Sequence, residues 1–280
     1  MLRHFTHQPN KNLLKAAKEN NITELQACIN QNANINTMDE LDNTALHWAS
    51  LEGYEAVVSL LIEHKAKVNE VNGECKTPLT LSVERNDLNI AQYLLLHNAS
   101  PNIFGPTYRA YTKLFQITLD VVFISTLLMM HFSPQYSKLE TVFLFASFLI
   151  LIVARDVLHH YLNFIERSIP PLIIAAQRNQ LDMVKLLIQY KASINAIDPT
   201  TGQNALHWGV RYNNMDAVEF LVRHGIDINL RDKNGHTSLD IARKIKNKDI
   251  IEYLETGLIP NEKYEISKSS YDSLIGLDIC

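Results

Sequence analysis

The sequence predicts an all-α repeat protein, a solenoid of about six helical hairpins interrupted by a long apolar insertion. Three observations carry this reading. A Thr-x-Leu-x-x-Ala-like motif returns at a fixed interval, each copy is followed by a second apolar stretch, and most copies close on a short turn containing Ala or Gly and Asn. Self-similarity at a period of about 20–50 residues marks stacked supersecondary units, because one helix pair cannot bury its apolar face alone and a stack of pairs can.

The copies can be placed in order. A degenerate first copy, Lys11-Asn12-Leu13-Leu14-Lys15-Ala16, precedes Thr44-Ala45-Leu46-His47-Trp48-Ala49 and Thr77-Pro78-Leu79-Thr80-Leu81-Ser82. The later ones are Pro170-Pro171-Leu172-Ile173-Ile174-Ala175, Asn204-Ala205-Leu206-His207-Trp208-Gly209 and Thr237-Ser238-Leu239-Asp240-Ile241-Ala242. Their starts, at 11, 44, 77, 170, 204 and 237, are separated by 33, 33, 93, 34 and 33 residues. The long step exceeds an ordinary one by 60 residues. Second apolar stretches such as Ala56 to Ile62 and Met183 to Ile188 complete the hairpins. The closing turns include Ala66 to Asn69, Ala99 to Asn102, Ala192 to Asn195 and Gly225 to Asn229, and Gly225 suits a left-handed helix end.

Period and motif together resemble the ankyrin family, over nearly everything outside the insertion. The resemblance implies that His47 and His207 tie adjacent loops together by hydrogen bonds, which makes both poor catalytic candidates. It also implies that a protein or peptide partner binds through the finger-like turns and the exposed face of each first helix. Counting four and seven or eight residues past the motif starts maps that face. It gives Trp48, Leu51 and Glu52, then Leu81, Glu84 and Arg85, then Ile174, Gln177 and Arg178, then Trp208, Arg211 and Tyr212. Trp48 and Trp208 are the only tryptophans and stand at one repeat position, each in Leu-His-Trp. Amphipathic rings beside Arg and Tyr are typical binding anchors; the other reading is that both indoles pack against the neighbouring finger.

The chain divides into repeats 1–3 over 1–105, an inserted apolar hairpin over 106–167, repeats 4–6 over 168–257 and a flexible tail over 258–280. From Leu114 to Phe132 the insertion runs 19 residues with Asp120 as its only charge, and such a helix spans roughly 28 Å, close to a bilayer's hydrocarbon core. The second apolar run, Thr141 to Ala154, reaches spanning length only if its charged flanks lie at the interfaces. Transmembrane helices are therefore expected at about 113–132 and 139–158. Arg109, Lys113, Arg155 and Arg167 flank them and only Lys138 is in the turn, which places the repeats on the cytosolic side. The competing reading is a soluble helical hairpin packed on the solenoid or on a second copy. Asp120 favours it, because a carboxylate within a span costs a few kcal/mol.

Other classes find little support. A net charge of −4 gives no electrostatic reason to expect nucleic acid as a partner. Cys28, Cys75 and Cys280 are widely spaced and read as reduced thiols without a zinc or redox motif. No Walker loop, Gly-x-Gly-x-x-Gly, His-Glu-x-x-His or nucleophile elbow is present. Leu-His-Trp is similar to the ankyrin region of membrane-bound palmitoyltransferases, yet their cysteine-rich Asp-His-His-Cys centre has no counterpart beyond Asp156, His159 and His160. The tail, with its Ser, Tyr and apolar end, reads as a short linear signal, and by resemblance as a secretion signal of the kind ankyrin effectors of intracellular bacteria carry. No enzyme activity, cofactor, metal or small-molecule substrate is expected.

The expected function is a membrane-anchored interaction scaffold, with a bacterial effector acting on host proteins as one form of it and the lipid bilayer as a second partner. The alternative is a soluble ankyrin binding protein, cytoplasmic or secreted into a host cell, whose hairpin packs on the solenoid or mediates self-association.

Overall fold

In the computed structural model, residues 7–102 and 169–256 are described. Among the described residues twelve helices fall in six successive pairs, and the only β-type pairing is two isolated bridges, Met38 with Thr44 and Ile197 with Asn204. The helices are α1 (His7–Lys18), α2 (Ile22–Asn30), α3 (Ala45–Glu52), α4 (Glu55–Glu63), α5 (Pro78–Arg85) and α6 (Leu88–Leu96). They continue with α7 (Pro171–Gln177), α8 (Leu181–Gln189), α9 (Ala205–Arg211), α10 (Met215–Arg223), α11 (Ser238–Ile245) and α12 (Lys248–Thr256).

Local chemistry sets the helix ends. Thr44 and Thr237 cap α3 and α11 by accepting the backbone N–H three residues on, and Asn204 does the same for α9. Each pair turns at one residue in the left-handed region, namely Asn20, Gly53, Asn86, Asn179, Asn213 and Lys246. A second such series, Asn32, Lys65, Asn98, Lys191 and Gly225, ends the second helices. Asparagine tolerates this conformation better than most residues with a side chain, so the chain can make hairpins with few glycines.

The described residues form two compact units. The first holds those up to Leu81, and the second holds Ser82–Asn102 together with the residues from Pro170 on. In the first unit Leu13, Leu25, Leu46, Leu61 and Leu79 are at most 1% exposed and make the core between layers. In the second, Ile90, Leu94, Leu172, Met183, Leu187 and Leu206, at most 2% exposed, do the same. Apolar burial at about 25 cal/mol per Å² is the main force holding such layers together.

The second unit joins residues from both sides of the insertion. Helix α6 packs on α8, and the Asn102 side chain accepts from the Ser193 N–H at 2.7 Å and donates to the Lys191 carbonyl at 3.0 Å. The same type of bond links Asn36 to the Lys67 N–H and Asn195 to the Asp227 N–H, both at 2.8 Å.

The transmembrane hairpin expected at about 113–132 and 139–158 lies outside the described residues. Among those residues no helix is long and apolar enough to cross a membrane. The longest, α1, has 12 residues, about 18 Å at 1.5 Å per residue, against a hydrocarbon core of about 30 Å. The fold class is therefore corrected to an all-α repeat solenoid without a membrane-spanning hairpin among its described elements. The membrane-anchored scaffold, the lipid bilayer as partner and the membrane location with repeats facing the cytosol are withdrawn with it. The tail expected over 258–280 also lies outside the described residues.

Candidate partner-binding face

The face is built on loops that the buried polar groups hold in place. In the first unit His47 is fully buried at the start of α3. Its Nδ1 lies 3.1 Å from the Thr44 N–H and its Nε2 lies 3.1 Å from the Lys76 carbonyl. The carbonyl needs a donor, so the neutral ring carries its proton on Nε2 and accepts at Nδ1. Burial pushes the His47 pKa down to about 4, against smaller opposing contributions from the Lys76 and Glu70 backbone. His207 repeats the arrangement in the second unit, with Nε2 3.3 Å from the His236 carbonyl, and burial lowers its pKa too.

Successive fingers are tied side chain to side chain. Asn72 donates to Asn43 at 2.7 Å in the first unit, and Gln203 donates to Asp232 at 2.9 Å in the second. Burial works to raise the Asp232 pKa, but hydrogen bonds from Gln203 and from the His236 and Asn234 backbone outweigh it and hold the carboxyl below the usual range.

The residues mapped from the sequence occupy three kinds of place. Leu81 and Ile174 are 3% and 5% exposed and belong to the core. In the first unit, Trp48 is half-buried, Leu51 is exposed one turn on, and Glu52 ends α3 half-buried. The Trp48 Nε1 donates to Asp39 Oδ2 at 2.8 Å, and Lys18 Nζ lies 3.5 Å from the ring centroid. This indole carries its own carboxylate and its own cation.

In the second unit the mapped residues form a connected ridge. Arg178 Nη1 donates to the Glu84 carbonyl, joining the ends of α5 and α7, with Arg85 exposed beside Glu84 in sequence. Gln177 Nε2 reaches the Tyr212 hydroxyl at 3.5 Å. The Tyr212 ring, 49% exposed, stacks on Trp208 with centroids 6.0 Å apart and planes 11° from parallel, while the Arg211 guanidinium carbon lies 5.5 Å from the Trp208 centroid. Stacked aromatics and a guanidinium over an indole are each worth about 0.5–1.5 kcal/mol beyond their burial.

The two indoles differ in one respect that spacing alone does not disclose. Trp208 Nε1 is covered and has no hydrogen-bond partner among the described residues. The counterpart of Asp39 is Asp198, since each starts a finger whose backbone pairs back just before the helix. Asp198 Oδ2, however, accepts from Thr201 Oγ1 at 2.6 Å and its Oδ1 from the Thr200 N–H at 2.8 Å. This finger is one residue longer: the bridge closing it joins residues 197 and 204, against 38 and 44 in the other. Asp39, Lys18, Asp198 and Thr201 were missed from the sequence, and the single 34-residue step, from 170 to 204, was a signal for Asp198 and Thr201 only.

Comparison with known proteins agrees with the architecture. The family profile described as "Ankyrin repeats (3 copies)" matches residues 13–104, 154–232 and 172–263. The chain is similar to the palmitoyltransferase ZDHHC13 of Homo sapiens, 22% identical over 261 residues, covering 92% of this chain and 38% of that protein. It is also similar to an ankyrin repeat protein of Borreliella burgdorferi, 34% identical over 94 residues, covering 34% of this chain and 42% of that protein. The chain thus spans well under two thirds of either relative. Among solved structures, an ankyrin repeat domain from Acinetobacter baumannii superposes with a TM-score of 0.60 at 21% identity, over 86% of this chain and 95% of that one.

Proposed function

Because the chain belongs to the ankyrin repeat family, we propose that it binds a protein or peptide partner on the exposed face of its first helices. Tyr212 and Arg211 are the centre of that face in the second unit, with Trp208 and Gln177 beneath and beside them. Trp48, Leu51 and Glu52 are the corresponding contacts in the first unit, and Glu84, Arg85 and Arg178 extend the second.

One observation carries the reading: a half-exposed tyrosine stacked on an indole, with a guanidinium beside it, on the surface of a short helix. These three residue types are the ones most enriched where binding energy concentrates. The matched family is a scaffold fold and not a catalytic domain. Among the described residues no group of three or more His, Cys, Asp or Glu side chains could hold a metal ion.

The test is site-specific photo-crosslinking of the intact chain in its native host extract. A photoreactive residue replacing Tyr212 is compared with one replacing Lys185, which is exposed on α8. A discrete protein adduct from 212 and none from 185 supports the reading; equal or absent labelling from both overturns it.

A further inference from the structure

The difference between the two indoles points to the chemistry of the partner. In the first unit Trp48 sits between an aspartate that accepts its N–H and a lysine over its ring. In the second unit Trp208 retains the cation, Arg211, while the corresponding aspartate is turned away to Thr201. A buried N–H without an acceptor costs about 1–3 kcal/mol, so a ligand that brings an oxygen to Trp208 recovers that cost.

Charge selects which oxygen. Arg211 is exposed and makes no ion pair among the described residues, and Arg178 on the adjoining helix spends its guanidinium on a neutral carbonyl. Basic residues near helix C-termini are expected from the helix dipole, at about 0.3–1 kcal/mol each. The dipole explains neither the stacked Tyr212 nor the indole left without an acceptor. Two guanidiniums and an N–H donor, with an aromatic surface alongside, match a carboxylate on an extended segment that also presents an apolar side chain.

We propose that the ridge at Arg178, Trp208, Arg211 and Tyr212 takes an acidic peptide segment of the partner. One partner carboxylate binds Arg211 and the Trp208 N–H in the role that Asp39 fills at Trp48. The inference rests on the partner-binding reading of the same face. Because Trp208 Nε1 is covered in the free chain, the group over it has to move for the carboxylate to reach it, and local rearrangement of this kind is common at interfaces.

The experiment pans a random 12-residue peptide library on the intact chain and measures the selected peptides by fluorescence anisotropy. The proposal expects selected peptides richer in Asp and Glu than the starting library. It expects binding at least about tenfold weaker in Arg211→Glu, several-fold weaker in Trp208→Phe, and weakened by salt. Both variants should keep the parent's circular dichroism, since Arg211 is exposed and phenylalanine preserves an aromatic ring. Peptides that bind Tyr212-dependently with no acidic bias, or that survive Arg211→Glu undiminished, overturn the acidic assignment and leave the binding face standing. Failure to select any peptide that binds the face overturns both.

Discussion

Asn102 and Ser193 are separated by 91 residues, yet the Asn102 carboxamide accepts the Ser193 N–H at 2.7 Å. Asn36 and Lys67 make the same bond across 31 residues. The difference is the 60-residue excess of the long repeat step, so the junction that spans the insertion has the register of an uninterrupted one.

If that junction is sealed by Asn102, then Asn102→Ala should lower stability by about 1–2 kcal/mol, the loss of two hydrogen bonds at a partly solvated site. Asn195→Ala, which loses the bond to Asp227, is the matched control. Urea midpoints measure both. An unchanged midpoint for Asn102→Ala beside a lowered one for Asn195→Ala would show that the junction does not depend on this side chain.

Excision of residues 106–165, the 60-residue excess, should leave the second unit folded. Closing a shorter loop is entropically easier, though by only about 0.6 kcal/mol per halving of length. The Ser193 amide should keep its hydrogen-exchange protection in the excised chain. Protection lost from Ser193 while the α10 amides retain theirs would refute the prediction.

Acid should destabilise the first unit through His47. Its pKa is depressed to about 4 in the folded chain from an ordinary 6.5, so the unfolded state binds more protons between those values. The stabilising contribution is complete above pH 6.5 and is lost as pH falls toward 4, amounting to at most about 3 kcal/mol. Thermal midpoints between pH 7 and pH 4 should fall less steeply in His47→Asn, a variant that starts lower. Parallel curves would assign the acid sensitivity elsewhere.

Two glycines should respond oppositely to alanine. A Cβ on Gly73 would sit 2.9 Å from the Leu41 carbonyl oxygen, where the Gly73 N–H already donates at 2.8 Å, so Gly73→Ala should cost about 1–3 kcal/mol. A Cβ on Gly209, inside α9, meets Val218 Cγ2 at 3.4 Å. There the gain in helix propensity, up to about 1 kcal/mol, should prevail. Calorimetry of the two single variants decides the signs.

The repeat architecture was legible because stacking imposes a period on the sequence, and the Leu and Ala positions that repeat are those the layers bury. The face was only partly legible. Counting along the helix put Leu81 and Ile174 beside Trp48 and Trp208, because one register position lies at the edge of the core and side-chain size decides how far it emerges. The left-handed turn positions, from Asn20 to Lys246, carry the period as faithfully as the apolar motif does, with asparagine at four of the six. Turn chemistry is conspicuous at glycines such as Gly53 and Gly225 and less so at asparagines, which are common in turns of other kinds. Hydropathy and flanking charge report the length, polarity and orientation of a segment such as the insertion and say nothing of what it packs against.

The longer finger between Ile197 and Asn204 shows how such an array can diversify. One added residue alters the hydrogen bonding of a tryptophan ten positions after Asp198 without any substitution on the helix that displays it. Insertions and deletions in fingers are thus a route to new recognition surfaces that leaves the helical layers, and the stability they provide, untouched. Removing one residue between Asp198 and Gln203 is the corresponding reversal: it would convert an indole whose N–H is covered and unanswered into one that the chain's own aspartate accepts.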